Sequence, residues 1–449
     1  MFGYERRSSR KKRNSFFRRL PKFSVILVSC YVIIAAIFFA YGMSEGPGRI
    51  YPSGTPTPPV EAPSPSPTVR PPPTVDPNAS APHVSLPPAV EVRGLWYNIW
   101  FPQDNSLRKC IEYVEATELN TIVIDIKEDG GRVTFRTDNE LVPVSSQLSD
   151  SQMSNIYGPT DYASLDEIVA DLKARGIYTI ARLVCFKDDI YTRDFPQNAI
   201  VNNRGEVWRD NRNVRWLNPR IEANWTYLIE IAKEAAKLGF DEIQLDYVRF
   251  PLEGKLGEIN YGAAADEATR YQVISEFVEL MRGELAKLGV RTSADIFGIS
   301  GISDRDAGHI GQNVQMLLPR LDFISPMIYP SHFANSSTGG AMGNGVGQTV
   351  DGILFTHPDT KPYEVIYHSL QHFNRHIDRF KEENPGVEVA VIRPFLQYFT
   401  ASYLPSGYYL IYGPDEIRAQ IQGVYDAGFS EWLLWSNTNN YHYSPDIFP

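Results

Sequence analysis

The sequence predicts an α/β architecture: a (β/α)8 TIM barrel behind an N-terminal transmembrane helix and a Pro-rich linker. Three observations carry this reading. Eight strand-like runs alternate with helical patterns after Val92, four helix-to-strand joins share one glycine signature, and the segments that follow strands are far longer than those that precede them.

The N-terminal end is organised by charge and hydropathy. Residues 1–22 are basic, with Arg6, Arg7, Arg10, Lys11, Lys12, Arg13, Arg18, Arg19 and Lys22 against Glu5 alone. The uncharged apolar run Phe23–Tyr41 has the length of a membrane-crossing helix. The basic flank is expected in the cytoplasm, which makes the chain a single-pass cell-membrane protein with its bulk extracellular. A cleaved signal peptide competes with this reading, but the run is long for one and Ala40-Tyr-Gly42 is a poor cleavage site. Residues 42–91 read as a linker: Pro47–Pro88 holds 15 of the 33 prolines and too little apolar content to fold. In polyproline conformation, at ~3.1 Å per residue, it holds a domain on the order of 100 Å from the bilayer.

The basic end contributes about +8 to a net charge of −10, so the remainder is acidic, which argues against nucleic acid as a partner. Cys30 falls in the apolar run. Cys110 and Cys185 have neither Cys-x-x-Cys nor zinc-type spacing and read as core residues.

The domain at 92–449 is ample for one large core. Its strand candidates are Val92–Trp100, Thr121–Lys127, Ile177–Phe186, Asp241–Phe250, Arg291–Gly298, Phe323–Tyr329, Val389–Gln397 and Glu431–Asn437. Helices are expected at Ser106–Glu118, at Ser164–Arg175 with a Ser164/Glu167 capping box, and at Asn218–Leu238 with Pro219 in its first turn. Further helices are expected at Asp266–Leu288, near Gly311–Leu318, at Pro362–Glu383 and at Pro414–Ala427. Gly176, Gly239, Gly289 and Gly428 each stand between a helix and the next strand, where a left-handed cap is needed. No Gly-x-Gly-x-x-Gly turn follows the first strand, which argues against a doubly wound dinucleotide fold, and no cofactor is expected. The long segments Glu128–Ala163, Lys187–Asn218, Pro330–Lys361 and Tyr398–Gly413 fall on the face where barrels build their sites.

Parallel barrel strands should be almost wholly apolar, so their polar residues carry information. Strand two holds Asp125 and Lys127 at same-face spacing, strand three Arg182, strand four Asp246, strand five Asp295, and strand seven Arg393 and Gln397. Such charges are tolerated in a core only when paired, so the six charged groups are expected to meet at one mouth. A structural ion network is the competing account. Aromatic residues accompany them in the loops: Trp208, Trp216, Tyr191, Tyr247, Tyr329, Phe333, Tyr398 and Trp435. Singly these are packing residues, and together they suit a groove for sugar rings.

Carboxylates and aromatics at a barrel mouth point to glycoside hydrolysis, which needs one carboxyl to protonate the leaving oxygen and another to attack or to activate water. Asp246 and Asp295, from adjacent strand ends, are the catalytic candidates, with Asp125 as a third. Asp125, Lys127, Arg182, Tyr247, Arg249, Tyr329, Arg393, Gln397, Trp208 and Trp435 are candidates for holding a polysaccharide.

Four blocks add a resemblance: Val92-Arg-Gly-Leu-Trp-Tyr97, Ile124-Asp-Ile-Lys-Glu-Asp-Gly-Gly131, Gln244-Leu-Asp-Tyr-Val-Arg-Phe-Pro251 and Ser325-Pro-Met-Ile-Tyr-Pro330. From about Val92 to the C-terminus the chain resembles a bacterial family of glycosyl-hydrolase-like domains of unknown function. The resemblance implies a TIM barrel distantly similar to the α-amylase superfamily, with a strand-four Asp as nucleophile and a strand-five Glu as acid/base. Asp246 matches the first position. Strand five offers Asp295 instead of Glu, and Gln244 stands where that superfamily has Arg.

His368, His372 and His376 share helical spacing but form no His-Glu-x-x-His, and no metal is expected. The Gly-rich Thr338–Gly347 lacks a phosphate-loop Lys and reads as a lid or linker. The leading expectation is therefore a membrane-anchored extracellular glycosidase acting on a cell-wall, capsule or other polysaccharide. A non-catalytic carbohydrate-binding protein on the same scaffold is the alternative. A deacetylase is disfavoured because the strands contain no histidine.

Overall fold

The computed structural model describes residues 86, 90–102, 105–262, 265–333, 348–441 and 447–448. Phe23–Tyr41, most of the Pro-rich segment and Thr338–Gly347 lie outside them. Among the described residues no helix is long and apolar enough to cross a membrane.

Eight parallel strands close into a barrel in sequence order: β1 Arg93–Tyr97, β2 Thr121–Lys127, β3 Tyr178–Val184, β4 Glu242–Asp246, β5 Arg291–Phe297, β6 Phe323–Ile328, β7 in two pieces at Val391–Ile392 and Phe395–Gln397, and β8 Trp432–Trp435. Closure is made by β1 pairing with β8, Arg93 opposite Trp432. Every predicted strand is present, Thr121–Lys127 with the expected bounds and the others shortened at one or both ends. Close strand approach explains Gly94: a Cβ there would lie 2.8 Å from Thr121 Cβ and 2.9 Å from its carbonyl oxygen.

The helical ring comprises α1 Ser106–Ala116, α2 Asp150–Tyr157, α3 Leu165–Ala174, α4 Asp189–Asp194, α5 Glu222–Leu238, α6 Glu267–Ala286, α7 Asp304–Ile310, α8 Val314–Leu317, α9 Pro362–Glu383 and α10 Pro414–Asp426. The four predicted glycine joins all have positive φ, 103° at Gly239. Three local expectations change. Pro219 precedes α5 because a turn closed by the Ile221 amide on the Asn218 carbonyl (3.1 Å) comes first. Ser164 makes no side-chain cap, while Glu167 accepts from the Ala163 amide instead. The working capping box is Ser149 with Gln152, at the start of α2, a helix the sequence reading missed.

Two buried apolar layers hold the barrel. A large outer layer packs strand faces against helices and includes the free, buried Cys110 and Cys185. A smaller one fills the lumen with Val92, Trp96, Val123, Ile180, Tyr329, Phe395 and Leu433. This alternation of faces follows from the two-residue period of a strand.

The six predicted charges do not all share one mouth. Arg393 lies toward the N-terminal ends of the strands. There it pairs with Glu242, the first residue of β4, stands 3.6 Å from Glu431, and stacks 4.2 Å above the Phe323 ring. Its strand breaks after Ile392, so its position reads inward but low in the lumen. This is a structural ion pair with both side chains fully buried. Arg393→Met is expected to destabilise the domain by about 3–5 kcal/mol, because Glu242 keeps a buried charge without its partner. Urea unfolding of Arg393→Met beside the Arg393→Met/Glu242→Gln double variant checks this; the double variant should recover part of the loss.

Lys127 also leaves the mouth. A register shift between Asp125 and Lys127 sets Asp125 opposite Arg182 but Lys127 opposite Leu183, so the two no longer share a face. Its ammonium is fully buried among Asp188 Oδ2 (3.0 Å), the Val184 carbonyl (2.9 Å) and the Lys187 carbonyl (3.3 Å). Gln397 is likewise spent on structure: it donates to Asp359 (2.9 Å) and the Phe399 carbonyl (3.0 Å) and accepts from the Ser331 amide (3.1 Å). It ties together the loops after β6 and β7.

Candidate active site

What remains at the C-terminal mouth is a compact group around one guanidinium. Arg182 Nη1 donates to Asp125 Oδ1 at 2.9 Å, and Nε donates to Asp246 Oδ2 at 3.0 Å with Nη2 bound to the same oxygen. Asp295 Oδ2 lies 4.0 Å from Arg182 Nε. Because that nitrogen is 3.0 Å from Asp246 and 4.0 Å from Asp295, the two carboxylate oxygens are at most about 7 Å apart. The bound is on one oxygen of each group, and the carboxyl spacing it allows takes in both the ~5–5.5 Å of retaining glycosidases and the ~6.5–9.5 Å of inverting ones.

Three carboxyl groups share one cation, so they cannot all ionise freely. Burial, then the adjacent Asp246 carboxylate, push Asp295 well above the usual carboxylate range, against the pull of Arg182 and Arg393. Asp295 Oδ1 is buried with no hydrogen-bond partner among the described residues. Burial also raises Asp125, opposed by Arg182 and by the Trp96 indole N–H, which donates to Oδ1 at 2.8 Å. Asp246 accepts from the Tyr247 amide at 2.6 Å besides its bonds to Arg182. Burial works against the Arg182 charge, and the three carboxylates more than offset it, raising the guanidinium well above its usual value.

Tyr247 follows directly with φ 48°, a left-handed conformation unusual for an aromatic residue. Such strain gathers at functional sites, where the surroundings enforce it. Here it ends β4 abruptly and turns the Tyr247 ring beneath Lys187 Nζ and Arg249 Cζ, each 5.0 Å from the ring centre.

Beside Asp125 and Arg182 stands an aromatic wall. Trp96 and Trp435 stack at 5.4 Å with a 16° interplanar angle, and Tyr329 and Phe399 pack on Trp435 at 5.7 and 5.3 Å. The sequence reading missed Trp96, Phe399 and Phe297. For Trp96 the signal was available: it shares the lumen-facing parity of Val92 and Gly94 on a strand end.

Other predicted aromatics are packing residues. Trp208 is 3 % exposed, its indole N–H on the Lys255 carbonyl (3.2 Å) and its ring against Gly254. Tyr191 stacks on Tyr227 at 3.9 Å, and Tyr398 and Phe333 are buried. The α9 histidines are occupied outside the barrel: His368 pairs with Asp351 (3.1 Å), His372 accepts from the Asp351 amide (3.2 Å), and His376 contacts Gln315 and the Gly301 carbonyl. Among the described residues no group of three His, Cys, Asp or Glu is placed to hold a metal.

A barrel that gathers carboxylates at its strand ends is the design of glycoside-hydrolase-like domains. The family comparison reaches the same class. Residues 96–441 match the family described as "Putative glycosyl hydrolase domain", and the chain belongs to it. A hypothetical protein from Ruminiclostridium thermocellum ATCC 27405 is 33% identical over 45% of this chain and 97% of its own, with a TM-score of 0.36. The glycoside hydrolase domain of PgaB (BpsB) from Bordetella bronchiseptica is 11% identical, covers 78% of this chain and 95% of that one, and has a TM-score of 0.53. That of PelA from Pseudomonas aeruginosa is 12% identical, with 78% and 97% covered and a TM-score of 0.40. The PgaB likeness speaks for the fold alone. Among curated proteins no match is found.

Proposed function

We propose that the barrel is a glycoside hydrolase that cleaves an extracellular polysaccharide, held at the cell membrane by Phe23–Tyr41 and spaced from it by the Pro-rich linker. The observation that carries the reading is the sharing of Arg182 among Asp125, Asp246 and Asp295. One cation among three carboxyl groups sets up the asymmetry this chemistry requires, one carboxyl charged and one protonated.

In this mechanism Asp295 donates its proton to the leaving glycosidic oxygen. Asp246, oriented by the Arg182 fork and the Tyr247 amide, attacks the anomeric carbon or activates water. Asp125 and the Trp96 indole fix Arg182 from the far side, and Trp435 offers a half-buried face for a sugar ring. The test is release of new reducing ends when residues 90–449 are incubated with a panel of cell-wall, capsular and plant polysaccharides. Release from at least one polymer is expected. Binding with no cleavage of any panel member would replace the enzyme with the carbohydrate-binding reading.

The topology has its own check. Protease added to intact cells should release a fragment cut within Pro47–Pro88. A domain protected until the membrane is permeabilised would reverse the orientation.

A further inference from the structure

Arg249 is a mouth residue whose chemistry the hydrolytic reading leaves unused. It follows Asp246 by three residues and is 7 % exposed. Three aromatic rings enclose its guanidinium: Phe297 at 4.7 Å, Tyr247 at 5.0 Å and Trp216 at 5.1 Å. Among the described residues it makes one hydrogen bond, from Nη1 to the Phe250 carbonyl at 3.1 Å. Among the described residues no carboxylate lies within ion-pairing distance of it. The buried cations near it among the described residues have such partners: Arg182 has three, and Lys187 has Asp129 (3.0 Å) and Asp210 (3.9 Å).

A buried guanidinium held by π faces and one carbonyl is costly to keep, and burial pulls its pKa down. The cage is made by residues that also frame the catalytic candidates. Tyr247 donates its amide to Asp246, and Phe297 stands two residues beyond Asp295 on β5. The cost therefore falls beside the catalytic candidates. The Nε–Nη2 edge makes no hydrogen bond among the described residues, and such an edge is a side-on fork matched to a planar carboxylate.

We propose that the Arg249 cage binds the carboxylate of a uronic-acid unit, so that the substrate is an acidic polysaccharide. This rests on the hydrolytic reading of the same mouth for its cleavage arm, but its binding arm does not. Wild-type residues 90–449 and the Arg249→Lys and Arg249→Met variants are titrated with oligouronates built from galacturonate, glucuronate or mannuronate. Each is paired with its carboxyl-reduced neutral counterpart. Wild type is expected to bind at least one oligouronate about 10²-fold tighter than its neutral counterpart, the order of one desolvated charge-assisted pair. Arg249→Met should bring that ratio close to one, and Arg249→Lys should leave it in between, because a lysine keeps the charge without the fork. Equal wild-type affinity for every acidic and neutral pair overturns the proposal, as does an acidic preference that survives in Arg249→Met. If the methionine variant fails to fold, the wild-type pair comparison and the lysine variant still decide. Selective binding without any cleavage would remove the hydrolytic reading and leave the uronate site standing.

Discussion

Asp246→Asn is expected to lower turnover by about three orders of magnitude or more, with the fold intact. Arg182 keeps Asp125 as a partner in this variant, and an asparagine of the same shape still fits beside the Tyr247 amide. The amide has neither the charge to stabilise an oxocarbenium-like transition state nor the nucleophilicity to form a glycosyl intermediate. A small external anion such as azide should restore part of the rate if Asp246 is the nucleophile, because the anion occupies the space of the missing carboxylate oxygen. Circular dichroism and sugar binding serve as controls. A variant that folds, binds and turns over at the wild-type rate would remove Asp246 from the chemistry.

Asp295→Asn carries the second large effect, a loss of about 10²–10⁴-fold, the usual contribution of a positioned acid. Its signature is selectivity for the leaving group. A natural sugar leaving group needs a proton and should suffer the full loss, whereas an aryl glycoside with a good leaving group needs little help and should be cleaved nearly as before. Equal losses on both would assign Asp295 a structural task instead.

Much of this arrangement was legible from the chain. All eight strands could be located because parallel barrel strands are continuous apolar runs, and the polar residues interrupting them stood out for that reason. Asp125, Arg182, Asp246 and Asp295 do meet, within the reach of one guanidinium. Arg393 and Lys127 do not join them, and the reasons are geometric. A break in β7 left Arg393 low in the lumen with Glu242, and a register shift in β2 turned Lys127 out to Asp188. The break in β7 has a marker in Pro394, which has no N–H to give the sheet, whereas the shift in β2 has none, since two-residue spacing gives a face only while the register holds. The aromatics misled in a similar way. Trp208 looks like a sugar platform in sequence, yet it is consumed by Gly254 and the Lys255 carbonyl, while Trp96 inside a strand stacks on Trp435.

The division of roles between two carboxyl groups whose Oδ2 atoms are at most about 7 Å apart is the centre of the account. Its most direct test is the pH dependence of kcat/KM on whichever polysaccharide is cleaved, for wild type and Asp295→Asn. Asp295 acts as an acid only while protonated, and its folded-state pKa is raised by burial and by Asp246. Activity should therefore persist above the ordinary carboxylate range and fall as the pH rises through the raised value. In Asp295→Asn, assayed on the aryl glycoside that retains activity, that alkaline fall should be absent. An alkaline limb of the same position and steepness in both proteins would contradict the assignment.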